Sequence, residues 1–430
     1  MNAYPKYKTI AFEYVTQIPE DWDLLPNIAI FEERNEKGHI HEELLSVTIG
    51  KGVIKQSELN KKDSSNPDKS NYKLVEIGDI VYSMRFRQGA SGYSNYKGLV
   101  SNACTVLKPK MKINPKFFHY QYRLPFYQNY AERYSYGIAD GQKPLRWQDF
   151  KRMYAFVPPL ETQNQIVTYL EEKEKQIKQF VKKKNRIVDL TENQLNSLVF
   201  GKNKYTDFKD WKDLFNTSWK IEKAKWVFSE RNIKNHPSER LLASTQDRGL
   251  VFKDEIEENY VTATQTDGLK LVCKNDFVIS LRSFEGGIEL SEVQGITSPA
   301  YNIFYLKKEF NDIKNLKYYY KYLFKSNQFI GLLNTVVSGI REGKNISFKD
   351  FRELYIPIPD KKTIDKIYKL HLKLIDSKAL IKKENELSKK LLTSLIENII
   401  IGKMKVPNTY NSKKDTISIA AESVNTYNTP

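Results

Sequence analysis

Cysteine is nearly missing from this 430-residue chain: only Cys104 and Cys273 occur, far apart and without the paired Cys or His spacing of a zinc site. Neither a disulfide framework nor a structural metal is therefore expected. Long apolar runs are also lacking. No stretch reaches the roughly 18 to 20 unbroken apolar residues of a membrane span, and Met1 to Lys8 has no signal-peptide core, so the expected location is the cytoplasm. The five histidines form no His-Glu-x-x-His or Ser-His-Asp arrangement. No phosphate-binding P-loop exists: Gly339, Gly343, Lys344 and Asn345 come nearest, with the wrong spacing and no hydroxyl for magnesium. The only Pro-Pro pair, Pro158 and Pro159, precedes Leu160 instead of the aromatic residue of an adenine methyltransferase motif. ATP hydrolysis and methyl transfer are thus unexpected, and no cofactor is assigned to the chain.

Positive charge, by contrast, is plentiful. Lys plus Arg number 69 against 52 Asp plus Glu, a net charge of +17, which favours a polyanionic partner such as nucleic acid. The second conspicuous feature is an internal repeat. Phe31, Glu33, Arg34 and Asn35 recur as Phe228, Glu230, Arg231 and Asn232, and Leu44, Leu45, Thr48 and Gly52 as Leu241, Leu242, Thr245 and Gly249. Asp79, Val81, Ser83 and Arg85 return as Asp276, Val278, Ser280 and Arg282, and the helical segments end alike at Gly201, Lys202 and Gly402, Lys403. Trp22 is matched by Trp219, and His39 by His236, the histidines being read as structural or capping. So long a period marks a duplicated domain and not a solenoid.

Within each copy, Leu74 to Met84 and Lys270 to Leu281 alternate apolar and polar residues around a Gly-Asp or Asn-Asp turn, as strands do. Pro115 to Tyr130 and Asn315 to Phe329 are rich in aromatics and read as one amphipathic helix each. A short strand ending in proline, Tyr154 to Pro159 and Tyr355 to Pro359, closes each copy. Long helices over about residues 162–199 and 363–400 follow, each with one apolar stripe, and are expected to pair antiparallel. The fold class is thus α+β: two tandem mixed α/β domains separated by two long antiparallel, coiled-coil-like helices. Expected boundaries are residues 1–160, the helix 161–202, residues 203–360, the helix 361–403, and a flexible tail 404–430.

Three features resemble the specificity subunits of Type I restriction-modification systems. They are Ser280-Leu281-Arg282-Ser283-Phe284-Glu285-Gly286-Gly287 followed by Gly295 to Tyr301, with its copy from Ser83; the passage Val157-Pro158-Pro159-Leu160-Glu161 with Gln165; and the helix end Ser394-Leu395-Ile396-Glu397 with Gly402 and Lys403. The second copy departs from the pattern at Ile356 to Lys361. The resemblance implies two target recognition domains that each read half of a bipartite, asymmetric double-stranded DNA site. It also implies assembly with two methyltransferase subunits and with motor-nuclease restriction subunits, which would hold S-adenosylmethionine, ATP and magnesium. The chain itself would be non-catalytic.

Two copies that read different half-sites must share what builds the fold and differ where bases are read. Unmatched polar residues able to pair with purine edges are Lys51, Gln56, Arg87, Gln88, Gln142 and Lys143 in the first copy, and Gln246, Arg248, Arg341, Lys344 and Asn345 in the second. The matched Arg85 and Arg282 suit a phosphate contact or an internal ion pair, and Lys51 and Arg248, aligned cations, also suit phosphate. Glu33, Arg34, Glu230 and Arg231 are expected in structural salt bridges. Acid-lysine runs such as Asp360-Lys361-Lys362 arise by chance in a chain with 28% charged residues and do not mark a nuclease core. Two alternatives stay open: a self-contained DNA-cleaving enzyme, and a coiled-coil adaptor whose charge is incidental.

Overall fold

The structure, a computed structural model, describes residues 2–59, 68–135, 144–201, 210–245, 248–256, 266, 268–281, 283–335 and 346–407. The chain divides into two compact units, one formed by residues up to Val181 together with those from Glu384 onward, the other by Lys182–Lys383. Both are mixed α/β. No helix among the described residues is long and apolar enough to cross a membrane.

The first unit is built on a four-stranded antiparallel sheet in the order Phe31–Arg34, Thr105–Pro109, Ile80–Tyr82, Ser91–Tyr93. The second repeats it as Phe228–Arg231, Asn302–Leu306, Phe277–Ile279, Glu289–Leu290. The alternating segments expected around residues 74–84 and 270–281 each form two short strands joined by a turn, at Gly78-Asp79 and Asn275-Asp276. The first residue of each turn takes a positive φ, 99° at Gly78 and 75° at Asn275, a conformation open to Gly and, among L-residues, best tolerated by Asn.

The matched arginines hold these turns in place. Arg34 Nε donates to Asp79 at 2.8 Å and Arg231 Nε to Asp276 at 2.6 Å, while each aspartate also accepts a backbone N–H, from Glu76 or Cys273. Burial pushes both carboxyls up from the ordinary aspartate range, against the pull of the guanidinium and N–H donors. The expected structural role of Arg34 and Arg231 is met. Glu33 pairs with Lys73 at 3.2 Å, and Lys73 donates to Cys104 O at 2.9 Å as Lys270 does to Tyr301 O at 2.7 Å. His39 and His236 use their carbonyls alike, accepting from Glu42 and Glu239.

Each core is aromatic. Phe31 packs edge-on against Phe118 and tilted against Tyr122, just as Phe228 packs against Tyr320 and Phe324. One difference is chemical. Buried Asn27 donates to the hydroxyl of Tyr127 at 2.9 Å and accepts from that of Tyr122 at 2.7 Å; the corresponding second-unit residues are Ala224, Phe329 and Phe324, buried in its core with no polar side-chain atom.

The single aromatic helix expected in each copy is instead two: Pro115–Tyr122 and Pro125–Glu132, then Leu316–Leu323 and Asn327–Thr335. Pro125 explains the first break, because a proline forces the preceding residue, Leu124, out of the helical region to ψ 141°. In the second copy Ser326 turns the chain, its hydroxyl accepting from Phe329 N.

The long helices span Leu160–Leu198 and Lys361–Ile400, and each passes from one unit into the other. In the first unit Ile166, Val167 and Leu170 share a core with Ile399, Ile400 and Ile401. In the second, Leu195 and Val199 share one with Ile364, Ile367 and Leu374, and Lys378 pairs with Glu192 at 2.6 Å.

Candidate nucleic-acid interface

Among the described residues, the unmatched Lys51, Arg87, Gln88 and Arg248 lie on turns, and one of these turns is held by the same bonds in both units. Strands Leu45–Thr48 and Gly52–Lys55 form a hairpin, as do Leu242–Thr245 and Gly249–Phe252. At the tip the hydroxyl of Thr48 donates to Gly52 O and accepts from Lys51 N, both at 3.1 Å. Thr245 does the same, donating to Gly249 O at 2.9 Å and accepting from Arg248 N at 3.1 Å. Gly52 and Gly249 have φ of 72° and 71°, so the shared Thr and Gly define the turn and the residue before the glycine is always presented outward. Lys51 and Arg248 are both exposed there, and neither forms an ion pair among the described residues.

The base of each hairpin is pinned by opposite charges in opposite order. Glu43 meets Lys55 at 2.8 Å in the first unit. Arg240 meets Asp254 at 2.7 Å in the second and stacks on Phe252 at 3.5 Å.

A second turn of the first unit carries the other described first-unit residues except Gln56, which is half-buried at the start of a short 3-10 turn. Arg85 leads into the turn Phe86–Gln88, which Gly89 ends with φ 87°. Arg85 and Gln88 are exposed, while Arg87 is held by Glu132 at 2.7 Å. Glu132 is exposed while Arg87 is partly covered, and an ion pair open to solvent on one side contributes little, about 1 kcal/mol. Gln142, Lys143, Gln246, Arg282, Arg341, Lys344 and Asn345 lie outside the described residues.

What brings Lys51 close to the Arg85–Gln88 turn is a residue that pattern reading did not single out. Arg123, directly after helix Pro115–Tyr122, donates through Nη2 to Gly50 O at 3.0 Å, and through Nη1 to Gly89 O at 3.1 Å and Ser91 O at 2.6 Å. Burial lowers its pKa, with Glu174 opposing. Four residues earlier on the same helix face, His119 Nδ1 accepts Tyr93 N–H at 3.1 Å. Burial first, then the charges of Arg123 and Lys116, hold this imidazole neutral, with its pKa down at about 3. Between them these side chains occupy the open edge of strand Ser91–Tyr93 as a further strand would.

In the second unit the positions of His119 and Arg123 hold Lys321 and Lys325, and the edge is held by ion pairs. Lys321 binds Glu292 at 2.6 Å, and Lys325 binds Glu289 and donates to Gly286 O at 2.9 Å. Glu289 stands where the first unit has Gly92. A Cβ on Gly92 would lie 2.9 Å from Gly52 Cα, so the first unit leaves no room for such a carboxylate. No cluster of side chains suited to a metal ion occurs among the described residues.

Residues 19–188 match the family model described as the Type I restriction modification DNA specificity domain. No curated protein matches. Among solved structures, a chain from work on the complex assembly and conformational transition of the type I R-M system is 14% identical, with a TM-score of 0.59 over 90% of this chain and 99% of that one. The HsdS subunit from Thermoanaerobacter tengcongensis, 14% identical, gives a TM-score of 0.46 over 90% and 98%. The S subunit from M. genitalium, 12% identical, gives 0.39 over 93% and 99%.

Proposed function

We propose that this chain, whose residues 19–188 match the Type I restriction modification DNA specificity domain, reads a bipartite, asymmetric double-stranded DNA site, one half through each unit. The observation that carries this reading is the paired hairpin tip: the same Thr-Gly turn, built twice, presents Lys51 in one unit and Arg248 in the other. Two identical cationic positions on differing surroundings suit phosphate contacts that set register, with sequence read by what lies beside them. Arg85, Gln88, Arg87 released from Glu132, and Gln56 are the described first-unit residues placed or suited for base or phosphate contact. The remaining candidates, Gln142, Lys143, Gln246, Arg282, Arg341, Lys344 and Asn345, complete the assignment.

The chain is a recognition component and not a catalytic one. In this reading methyltransferase subunits and motor-nuclease subunits assemble with it in the cytoplasm and supply methyl transfer and cleavage. Exposed apolar residues on the long helices, Phe180, Leu387 and Leu391 in the first unit and Leu190, Ile375 and Leu380 in the second, suit such docking.

Long-read mapping of methylated adenine in cells with and without the gene tests the proposal. A motif of two short halves around an unread spacer is expected to disappear with the gene. An unchanged methylation pattern sinks the reading, and magnesium-dependent cutting by the purified chain alone would favour a self-contained nuclease.

A further inference from the structure

Arg123 is unusual in how its charge is met. Its partners are three neutral backbone carbonyls, of Gly50, Gly89 and Ser91, and it forms no ion pair among the described residues. These carbonyls neutralise none of its formal charge, and burial works against it. The carbonyl oxygens of Gly50 and Gly89 belong to the two turns that present Lys51 and Arg85–Gln88. One planar guanidinium therefore ties together two turns that belong to different sheets, beside the close packing of Gly52 on Gly92. No monodentate cation reaches three such acceptors in a fixed fork.

In the second unit Lys325 keeps one of these bonds, to Gly286, the counterpart of Gly89. It spends its charge on Glu289, which is 7% exposed. The exchange of Gly92 and Arg123 for Glu289 and Lys325 is coordinated: the first unit has no room for the carboxylate and uses main-chain acceptors, while the second has the carboxylate and needs only a lysine.

We propose that Arg123 is a positioning residue for DNA reading by the first unit, locking the Thr48–Gly52 and Arg85–Gly89 turns into one surface through its three main-chain bonds. The Lys325–Glu289 ion pair serves the second unit in the same place. This rests on the reading of the chain as a bipartite DNA reader. A merely structural residue would change stability without selecting one half of the site.

The test uses the full chain and duplexes carrying the bipartite motif found by methylation mapping, with one half scrambled at a time. If mapping yields no bipartite motif, the functional reading fails before this one is reached. Discrimination, the affinity ratio of intact to half-scrambled duplex, is measured for Arg123→Met and Lys325→Met beside the unaltered chain. The expected result is a drop of tenfold or more at one half for Arg123→Met and at the opposite half for Lys325→Met. Should Arg123→Met fail to fold, Arg123→Lys, which keeps the charge and loses the fork, carries the same comparison. In the second unit, Glu289→Gly with Lys325→Arg imports the first unit's arrangement and is expected to restore at least half of the discrimination lost in Lys325→Met. Unchanged discrimination in both variants, or an equal drop at both halves, overturns the proposal.

Discussion

Trp22 packs against Gly402, near the other end of the chain, in the same way that Trp219 packs against Gly201. Both glycines end a long helix with positive φ, 76° and 66°, and a Cβ on either would run into the tryptophan or its neighbour: 2.7 Å from Trp219 at Gly201, 2.8 Å from Pro19 Cγ at Gly402. The left-handed conformation costs an L-residue about 1 to 2 kcal/mol before any clash. Gly402→Ala and Gly201→Ala are each expected to destabilise by at least that much. Hydrogen exchange should place the first loss in the unit containing Trp22 and the second in the unit containing Trp219; the reverse assignment would contradict the contacts described.

The buried triad Asn27, Tyr122 and Tyr127 corresponds to Ala224, Phe324 and Phe329. Asn27→Ala strands the buried hydroxyls of Tyr122 and Tyr127 and takes a donor from Phe150 O, at about 1 to 3 kcal/mol for each unsatisfied group. The triple change Asn27→Ala, Tyr122→Phe, Tyr127→Phe copies the second unit and is expected to be less destabilising than Asn27→Ala alone. Denaturant unfolding of both variants decides it, and a triple variant weaker than the single one refutes it.

Pro159 occupies the position of Asp360. Asp360 accepts Thr363 N at 2.8 Å, capping its helix, and accepts Trp219 Nε1 at 2.9 Å. Trp22 Nε1 is buried with no partner among the described residues. Pro159→Asp is therefore expected to stabilise the first unit by about 1 kcal/mol, the usual worth of a helix cap. An unchanged or lowered melting temperature would count against this.

His119 gives the first unit a pH dependence of known sign. Its imidazole is held at about 3 in the fold against an ordinary value of 6.5, so the unfolded chain takes up the proton first. The stability is present above pH 6.5 and declines as pH falls toward 3, by at most about 1.4 kcal/mol per unit. His371, held at about 4 by burial, then by Lys321, with Glu292 opposing, acts in the same direction in the second unit. Unfolding midpoints between pH 7 and pH 5 should fall less steeply for His119→Asn than for the unaltered chain. Parallel curves would remove His119 from the account.

Lys51→Ala and Arg248→Ala should each weaken binding to every duplex and lower the salt slope of the affinity by about 1, and together by about 2. Fluorescence anisotropy across a salt series reads this directly. A relaxed preference at one base with an unchanged slope would instead make the residue a base reader.

The strands around Asp79 and Asp276 were legible in the sequence because Gly78-Asp79 and Asn275-Asp276 mark a turn in both copies, and the long helices because each carries one apolar stripe. The break at Pro125 has a sequence signature, whereas the one at Ser326 depends on a hydroxyl finding the N–H of Phe329. Arg123 escaped because its partners are main-chain oxygens, which no residue pattern announces. Arg87 looked available until Glu132, on a separate helix, was placed beside it. The shared position of Lys51 and Arg248 on a turn was legible because a cation recurs between the same threonine and glycine in both copies.

Helix Lys361–Ile400 begins in the second unit and ends in the core of the first. The consequence concerns synthesis. A ribosome releases residues 182–383 as one continuous stretch that can close on itself, while the first unit, begun earlier, waits for Ile399, Ile400 and Ile401. The half made first is completed last, and a chain cut short near its end loses the beginning of the protein along with its tail.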